Sequence, residues 1–372
     1  MIDASSIRTL ADAAWYLIFF IFLFYGQRIQ LLTMLQGIKK NVKKLEHMRD
    51  EARKALIEAL QRFNSNSNSS CSTGPDKGQV GERVEGLLEL FTIMPVDLDP
   101  RGVVWKLEHI LDTYDAHLKD EVRSIAPGAD EAQVSNLSDI LEVALGLNTM
   151  FRIVRHYYLL ARKMRSLYVV TQLQMALPSL MQTAEAYHGS LDALTAGKPI
   201  GDGVGAMVAA ELMGDAERRE IAEDTVAAET WLDGRRIIVV KAKGPGGNVG
   251  KPGEAVDRLI DEYGDIALIV TVDAGLKLEG EDSGEIIEGV GAAIGGAGVE
   301  RYKIEEAAAK NRIPLYAIVI KVSEEEALKA MTRRLRESVR EAIGKVKKAV
   351  VERAEEASTV IVAGIGNTLG IP

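Results

Sequence analysis

The sequence predicts an N-terminal transmembrane helix, an all-helical middle domain and a C-terminal three-layer α/β domain with a mostly parallel sheet. Three observations carry this prediction. Residues 13–26 (AAWYLIFFIFLFYG) contain no charge. Over 31–63 and again over 81–197, apolar side chains repeat at helical spacing. After Pro199, short β-branched runs alternate with helical stretches, as in a sheet covered on both faces.

With its neighbours, the apolar run at 10–29 approaches the roughly 20 residues that cross a bilayer. Asp12 and Arg28 would flank it, and Trp15, Tyr16 and Tyr25 suit headgroup depth. A cleaved signal peptide would need a basic start and a small-residue cleavage site, but only Arg8 precedes the run and no such site follows Gly26. A buried core helix is the other reading of so short a run. Arg28, Lys39, Lys40, Lys43 and Lys44 follow the segment. Positive flanks stay in the cytoplasm. The expectation is a single-pass protein of the cell membrane, residues 1–30 its anchor, with the N-terminus outside and the body cytoplasmic.

Residues 31–63 place Leu31, Leu35, Ile38, Val42, Leu45, Ala52, Leu56 and Phe63 on a heptad ladder, interrupted by Arg49. This seam suits a self-associating stalk, or a helix folded back on the chain's own helices. The first is preferred by a narrow margin, which makes a homo-oligomer the expectation. Residues 64–80 begin NSNSNSSCSTGPDKG and read as a flexible linker. Cys71, within it, is the single cysteine and cannot form an internal disulfide.

Residues 81–198 read as a helical domain. Leu87, Leu88, Phe91 and Met94 share a face of a short helix ended by Pro95. Val103–Leu118 forms a second helix, and Ala126-Pro-Gly breaks the chain after it. Ser135 is placed as the N-cap of a third, and Pro178 is expected to kink or split the long stretch 147–194. His109, His117, His156 and His188 are scattered and are read as surface or core residues rather than metal ligands.

In residues 199–372 the strands fall at 236–242 (RIIVVKA), 266–272 (IALIVTV), 315–321 (LYAIVIK) and 359–363 (TVIVA). Helices are expected near 254–262, 284–294, 299–310 and 324–356, the last capped by Ser323. Composition is that of a globular protein, with 47% hydrophobic and 27% charged residues. The net charge of −9 argues against nucleic acid as a partner and leaves lipid, contacted through residues 10–29.

Ligands of open α/β sheets sit beyond the carboxyl ends of the strands. The first strand leads into Gly244-Pro-Gly-Gly-Asn-Val-Gly-Lys251. Five residues separate Gly244 from Gly250 and Pro252 follows the lysine, so phosphate-loop spacing fails. A tight strand-to-helix turn is the plain reading, and an anion site at Gly246, Gly247 and Lys251, with Lys277, is the functional one. The second strand ends in Asp273. The last leads into Gly364-Ile-Gly366-Asn367-Thr368. A further glycine turn, Gly201-Asp202-Gly-Val-Gly205, opens a helix, with Asp202 as either its cap or a site residue.

GIGN at 364–367, GDGVG at 201–205 and VDA at 272–274 together resemble the motifs of the hydrogenase-maturation protease and spore-protease group. In that group the GxGN strand comes first and leads into the D-G-x-G helix. Here it comes last, so the resemblance implies a circular permutant, which close termini allow. It carries a site onto Asp202 and Asp273. The maturation proteases add a histidine nickel ligand, but no histidine follows His188, and Glu279, Glu281, Asp282 and Glu285 occupy the corresponding region. The spore-protease branch, with two aspartates and no metal, is the better match. Over its whole length the chain also resembles an archaeal membrane protein family, domain of unknown function 1512. PVDLDPRGVVWKLEHIL (95–111), LGLNTMFRIVRHYYLL (145–160), PIGDGVGAMVAAELM (199–213), VDAGLKLEGEDSGE (272–285) and GGAGVERYKIEEAA (295–308) carry this second resemblance.

Two converging carboxylates raise one pKa and can share a proton for general acid–base work on a water. Asp202 and Asp273 are the candidate pair, Gly364, Gly366, Asn367 and Thr368 the candidate oxyanion loop. No cofactor is expected, although a divalent metal between Asp202 and Asp273 stays open. The competing expectation is a non-enzymatic oligomeric membrane scaffold or small-ligand-binding module built on the same fold.

Overall fold

The computed structural model describes residues 4–64, 77–95 and 102–372. Cys71 and most of the expected linker lie outside them, as does the start of the 95–111 motif. The chain divides into two units, Met1–Glu51 with Gly146–Ala184, and Ala52–Leu145 with Glu185–Pro372. Helices α1 (Ala4–Asn64), α4 (Glu131–Met164) and α5 (Leu167–Ala196) each contribute residues to both.

In the first unit, the α1 ladder is covered by the chain's own helices. Leu35, Ile38, Val42, Leu45 and Met48 are buried, as are Phe151, Val154 and Ala161 of α4 and Val170, Leu173 and Leu177 of α5. Arg49 lies over the Phe151 ring, 4.1 Å from its centroid, so the residue that breaks the heptad contributes a cation–π contact. No single helix among the described residues is long and apolar enough to cross a membrane. Ala13–Phe20 and Tyr25–Phe63, bent by 52°, meet the length and composition test only as a pair.

The second unit holds α2 (Lys77–Leu87), α3 (Val103–Ile125) and a seven-stranded sheet. Helix α2 ends at Leu87, short of the expected Pro95, and Phe91 and Met94 are exposed. Helix α4 is capped by Asp130, which exchanges bonds with Gln133, rather than by Ser135. The hydroxyl of Ser135 instead donates back to Glu131 from inside the helix. Helix α5 runs unbroken through Pro178; the break in 147–194 falls at Arg165–Ser166 instead.

The sheet contains β1 (Arg218–Ala222), β2 (Thr225–Leu232), β3 (Arg235–Ala242), β4 (Ile266–Leu276), β5 (Ile286–Val290), β6 (Leu315–Val322) and β7 (Thr359–Gly364), in the order β1-β2-β3-β7-β4-β6-β5. Only the central strands β3, β7, β4 and β6 run parallel. Both edges add antiparallel pairs, so the sheet is mixed and not mostly parallel. Two residues, Asp233 and Gly234, join β2 to β3, both with positive φ, as a primed hairpin turn requires. Strand β5 falls within the expected helix 284–294, because its β-branched residues pair along β6 and make it the edge strand.

Helices α6 (Val204–Met213) and α10 (Arg333–Arg353) cover one face, and α7 (Pro252–Tyr263) and α8 (Val299–Asn311) the other, each over a continuous apolar core. The expected helix 324–356 is two, α9 (Glu324–Leu328) and α10. Ser323 caps α9 in a reciprocal box with Glu326. Between them Ala330 bridges to Ile200, fixing the turn that opens α6.

That turn packs against β7 without side chains between. A Cβ at Gly205 would collide with the carbonyl oxygens of Ile365 and Val272, and one at Gly364 with that of Gly205. Gly205→Ala must therefore push α6 off the sheet. The expected loss is about 3 kcal/mol, read as a lower urea midpoint, whereas Gly86→Ala, in open space, should leave the midpoint unchanged or higher.

Candidate active site

Because β3, β7 and β4 are parallel neighbours, the loops that follow them emerge at one edge. The 201–205 turn reaches the same edge from α6, so the tail strand and the Gly201 turn lie side by side. Ile365 donates its amide to Val272 at 2.8 Å, and Gly366 lies against the Asp202 carbonyl. The main chain thus carries Asp202 to the end of β4, where Asp273 stands.

Both carboxyls line one cavity of ≈ 380 Å³, with Gly366 and the turn at 295–298. Asp273 is 5% exposed. Its two oxygens accept from its neighbour Ala274 (2.7 Å) and from Gly295 (2.9 Å). Asp202 accepts from the amide of Asn367 at 3.0 Å. Burial raises both pKa values. For Asp273 the charge of Asp202 adds to burial, against two stabilising amides, and the result is about 7.

Asn367 joins this pair to a second acidic group. Its Nδ2 donates to Asp139 of α4 at 3.2 Å, while its Oδ1 accepts from Leu369 at 2.8 Å, which fixes the amide's orientation. Asp139 and Glu142 line an adjoining chamber of ≈ 240 Å³, and Asp112, Asp115, Gly250 and Lys251 line both spaces. Burial holds Asp139 well above the usual carboxylate range. Glu142 is open to the chamber, yet surrounding protein and then Asp115 bring its pKa to about 7.

The two matching family models are "Protein of unknown function (DUF1512) N-terminal domain", over residues 12–197, and "Domain of unknown function (DUF1512) C-terminal", over residues 200–372. The chain belongs to the DUF1512 family. No curated protein matches it. The boundary between the family's two domains falls just before the Gly201 turn, so Asp202 and Asp273 come from the C-terminal domain, and Asp112, Asp115, Asp139 and Glu142 from the N-terminal one.

The remaining sequence-selected residues divide by role. Gly364 permits close packing, and Thr368 is buried, its hydroxyl donating to Gly246 at 2.8 Å, so it ties down the 244–251 loop. Of the amides in the 364–368 loop, Asn367 serves Asp202 and Thr368 serves Asn248. The Gly366 N–H, at the cavity wall, has no partner among the described residues. Gly247 donates to Asn136 at 2.8 Å, and a side chain there would strike Asp139. Lys251 pairs with Asp112 at 2.7 Å and Glu223 at 3.5 Å. Burial opposes its charge, but these carboxylates hold its pKa above the usual lysine value. Gly246 packs on α4, and Lys277 reaches the Glu281 carbonyl at 3.1 Å; neither lines the two cavities. Among the described residues, no group of three or more His, Cys, Asp or Glu is arranged to hold a metal ion.

Asp273 sets a pH dependence of stability. Its folded pKa of about 7 stands above the ordinary 3.8. A carboxyl raised in this way stabilises the fold fully below its unfolded pKa and loses that contribution as pH climbs through the folded one. Asp273→Asn should reduce the fall in urea midpoint between about pH 4 and pH 8, and raise stability on the alkaline side. An unchanged slope would mean the carboxyl is not held protonated.

Proposed function

We propose that the second unit is a hydrolase of amide bonds that works through the Asp202–Asp273 pair, without a cofactor. The observation that carries the reading is the convergence of two buried carboxyls, one with a pKa of about 7, on a single cavity at the sheet's carboxyl edge. Ionised Asp202 takes a proton from water as its oxygen attacks the carbonyl carbon. The Gly366 N–H donates to the developing oxyanion. Asp273 then passes its proton to the departing nitrogen as the C–N bond breaks, and the proton held by Asp202 restores Asp273. The adjacency of Gly366 and Asp202 supports the permuted protease-like arrangement suggested by the sequence motifs.

The engaged carboxylate oxygens favour a second reading, a ligand-binding or scaffold module. Three amides bond to the pair and tie the loops at Ala274, Gly295 and Asn367 together. Assay of the purified full chain against peptide amides separates the two. On the hydrolase reading, Asp202→Asn and Asp273→Asn each lower kcat by about 10²–10⁴-fold, and wild-type activity falls above pH 7 as Asp273 loses its proton. Chelators leave the rate unchanged. Loss of stability with no wild-type hydrolysis would assign the pair a structural role.

We further propose that α1 anchors the protein in the membrane. Trp15, Tyr16, Leu17, Ile18, Phe19 and Phe20 form a continuous exposed apolar run, and contiguous exposed apolar surface marks a partner or membrane contact. Alkaline carbonate should leave the full chain in the membrane pellet and release a variant lacking residues 10–29. Release of both would remove the anchor. A homo-oligomer would place copies of this segment side by side, and cross-linking in native membranes reads that state.

A further inference from the structure

We infer that the turn between α4 and α5 is a second membrane contact, a surface for anionic lipid headgroups. The inference extends the anchor reading, and the experiment below separates the two. Its first support is charge. The unit formed by Met1–Glu51 and Gly146–Ala184 carries twelve Lys and Arg against five Asp and Glu, a net +7 in a chain whose total is −9. Residues 146–184 contain no acidic side chain at all. Arg152, Arg155, Arg162, Lys163 and Arg165 are exposed and have no carboxylate partner among the described residues. Such a field attracts anionic surfaces, and the attraction falls off within a Debye length of the bilayer.

The second support is the placement of the turn. Arg49 of α1 meets Phe151 of α4, and residues 146–184 pack with positions before 51. Helix α4 therefore runs antiparallel to α1. Fourteen residues on from Phe151 is Arg165; fourteen back from Arg49 is Leu35, where burial of the α1 seam ends. The turn thus lies level with Leu35, about 9 Å along the helix from Ile29 and the exposed apolar run beyond it.

The third support is the mixture of side chains at the turn. Met164 and Tyr168, 60% and 72% exposed, sit among Arg162, Lys163 and Arg165. Apolar groups alternating with cations match an interface where the chain enters the headgroup layer. Exposed methionine gains nothing against a nucleic acid backbone, which favours lipid over RNA.

The test uses the full chain with Cys71→Ser and Met164→Cys, carrying an environment-sensitive fluorophore. Phosphatidylcholine vesicles with and without phosphatidylglycerol are followed by flotation and by quenching from lipid-borne nitroxides. The expected result is a blue-shifted, quenched probe with phosphatidylglycerol only, with that response lost in high salt and in the Arg162→Gln/Lys163→Gln/Arg165→Gln variant, whose circular dichroism is unchanged. Flotation with both vesicle types and a water-like probe throughout overturns the inference and keeps the anchor. Flotation only with phosphatidylglycerol, with the probe responding, keeps the inference and removes the anchor. No flotation with either overturns both. A probe that responds to RNA oligonucleotides but not to anionic vesicles assigns the surface to nucleic acid and also overturns it.

Discussion

Direct backbone packing at Gly205 governs the geometry of the second unit. Three main-chain segments, the end of β7, the end of β4 and the first turn of α6, meet where any Cβ would collide with a carbonyl oxygen. Because no side chain separates them, the position of Asp202 is set by main chain rather than by rotamers, and Asp273 is fixed by its place in β4. A site built on rigid elements holds its groups more narrowly than one on free loops. The same contact brings the last residues of the chain against position 202, so the tail strand is part of the site and not an appendage.

Central features were legible in the sequence because their signals are local. The four parallel strands are unbroken β-branched runs, and each emerged close to its expected bounds. Asp202, Asp273 and Gly366 were legible because glycine turns and strand-terminal acids mark the carboxyl edge of such sheets. The edges were not. Strands β1 and β2 carry exposed charges and alternate weakly, although Asp233-Gly234 is a hairpin signal that was present. Strand β5 contains Gly289 and is followed by Gly291, which dilutes its period-two pattern. Periodicity identified the α1 seam but not its partner, because a heptad seam looks the same whether another copy or the chain's own helices cover it.

The contribution of the N-terminal domain to the cleft was hidden for a different reason. Ser135, Asp139 and Glu142 lie on one face of α4, at spacings of four and three. On its own, that face reads as an ordinary solvated stripe. Only the fold brings it against Gly247, where a side chain could not fit, and against Asn367. The turn at 295–298 was likewise noted only as part of a family motif, though Gly295 supplies an amide to Asp273.

The charge inventory of the cleft bears on which chemistry it suits. Lys119 and Lys251 are its lysines, and both are already engaged, with Asp224 and with Asp112 and Glu223. Asp115, Asp139, Glu142 and Asp273 each have a raised pKa, with burial the largest cause; Lys119 acts on Asp115 and Asp139, and Lys251 on Asp115, but burial outweighs them. Desolvated carboxyls whose burial outweighs nearby cations relieve the cost by binding protons. The cleft therefore holds protons near neutral pH where its sequence suggests negative charge, and its lysines are spent inside it. Among the described residues, an anion entering there would meet lysines already paired with carboxylates, whereas a neutral carbonyl would meet carboxyls of raised pKa and the Gly366 amide. That distinction, set by burial rather than by composition, leaves the glycine-rich loop at 244–251 as a wall of the cavities, while Asp202, Asp273 and Asp139, linked through Asn367, are carboxyls with raised pKa.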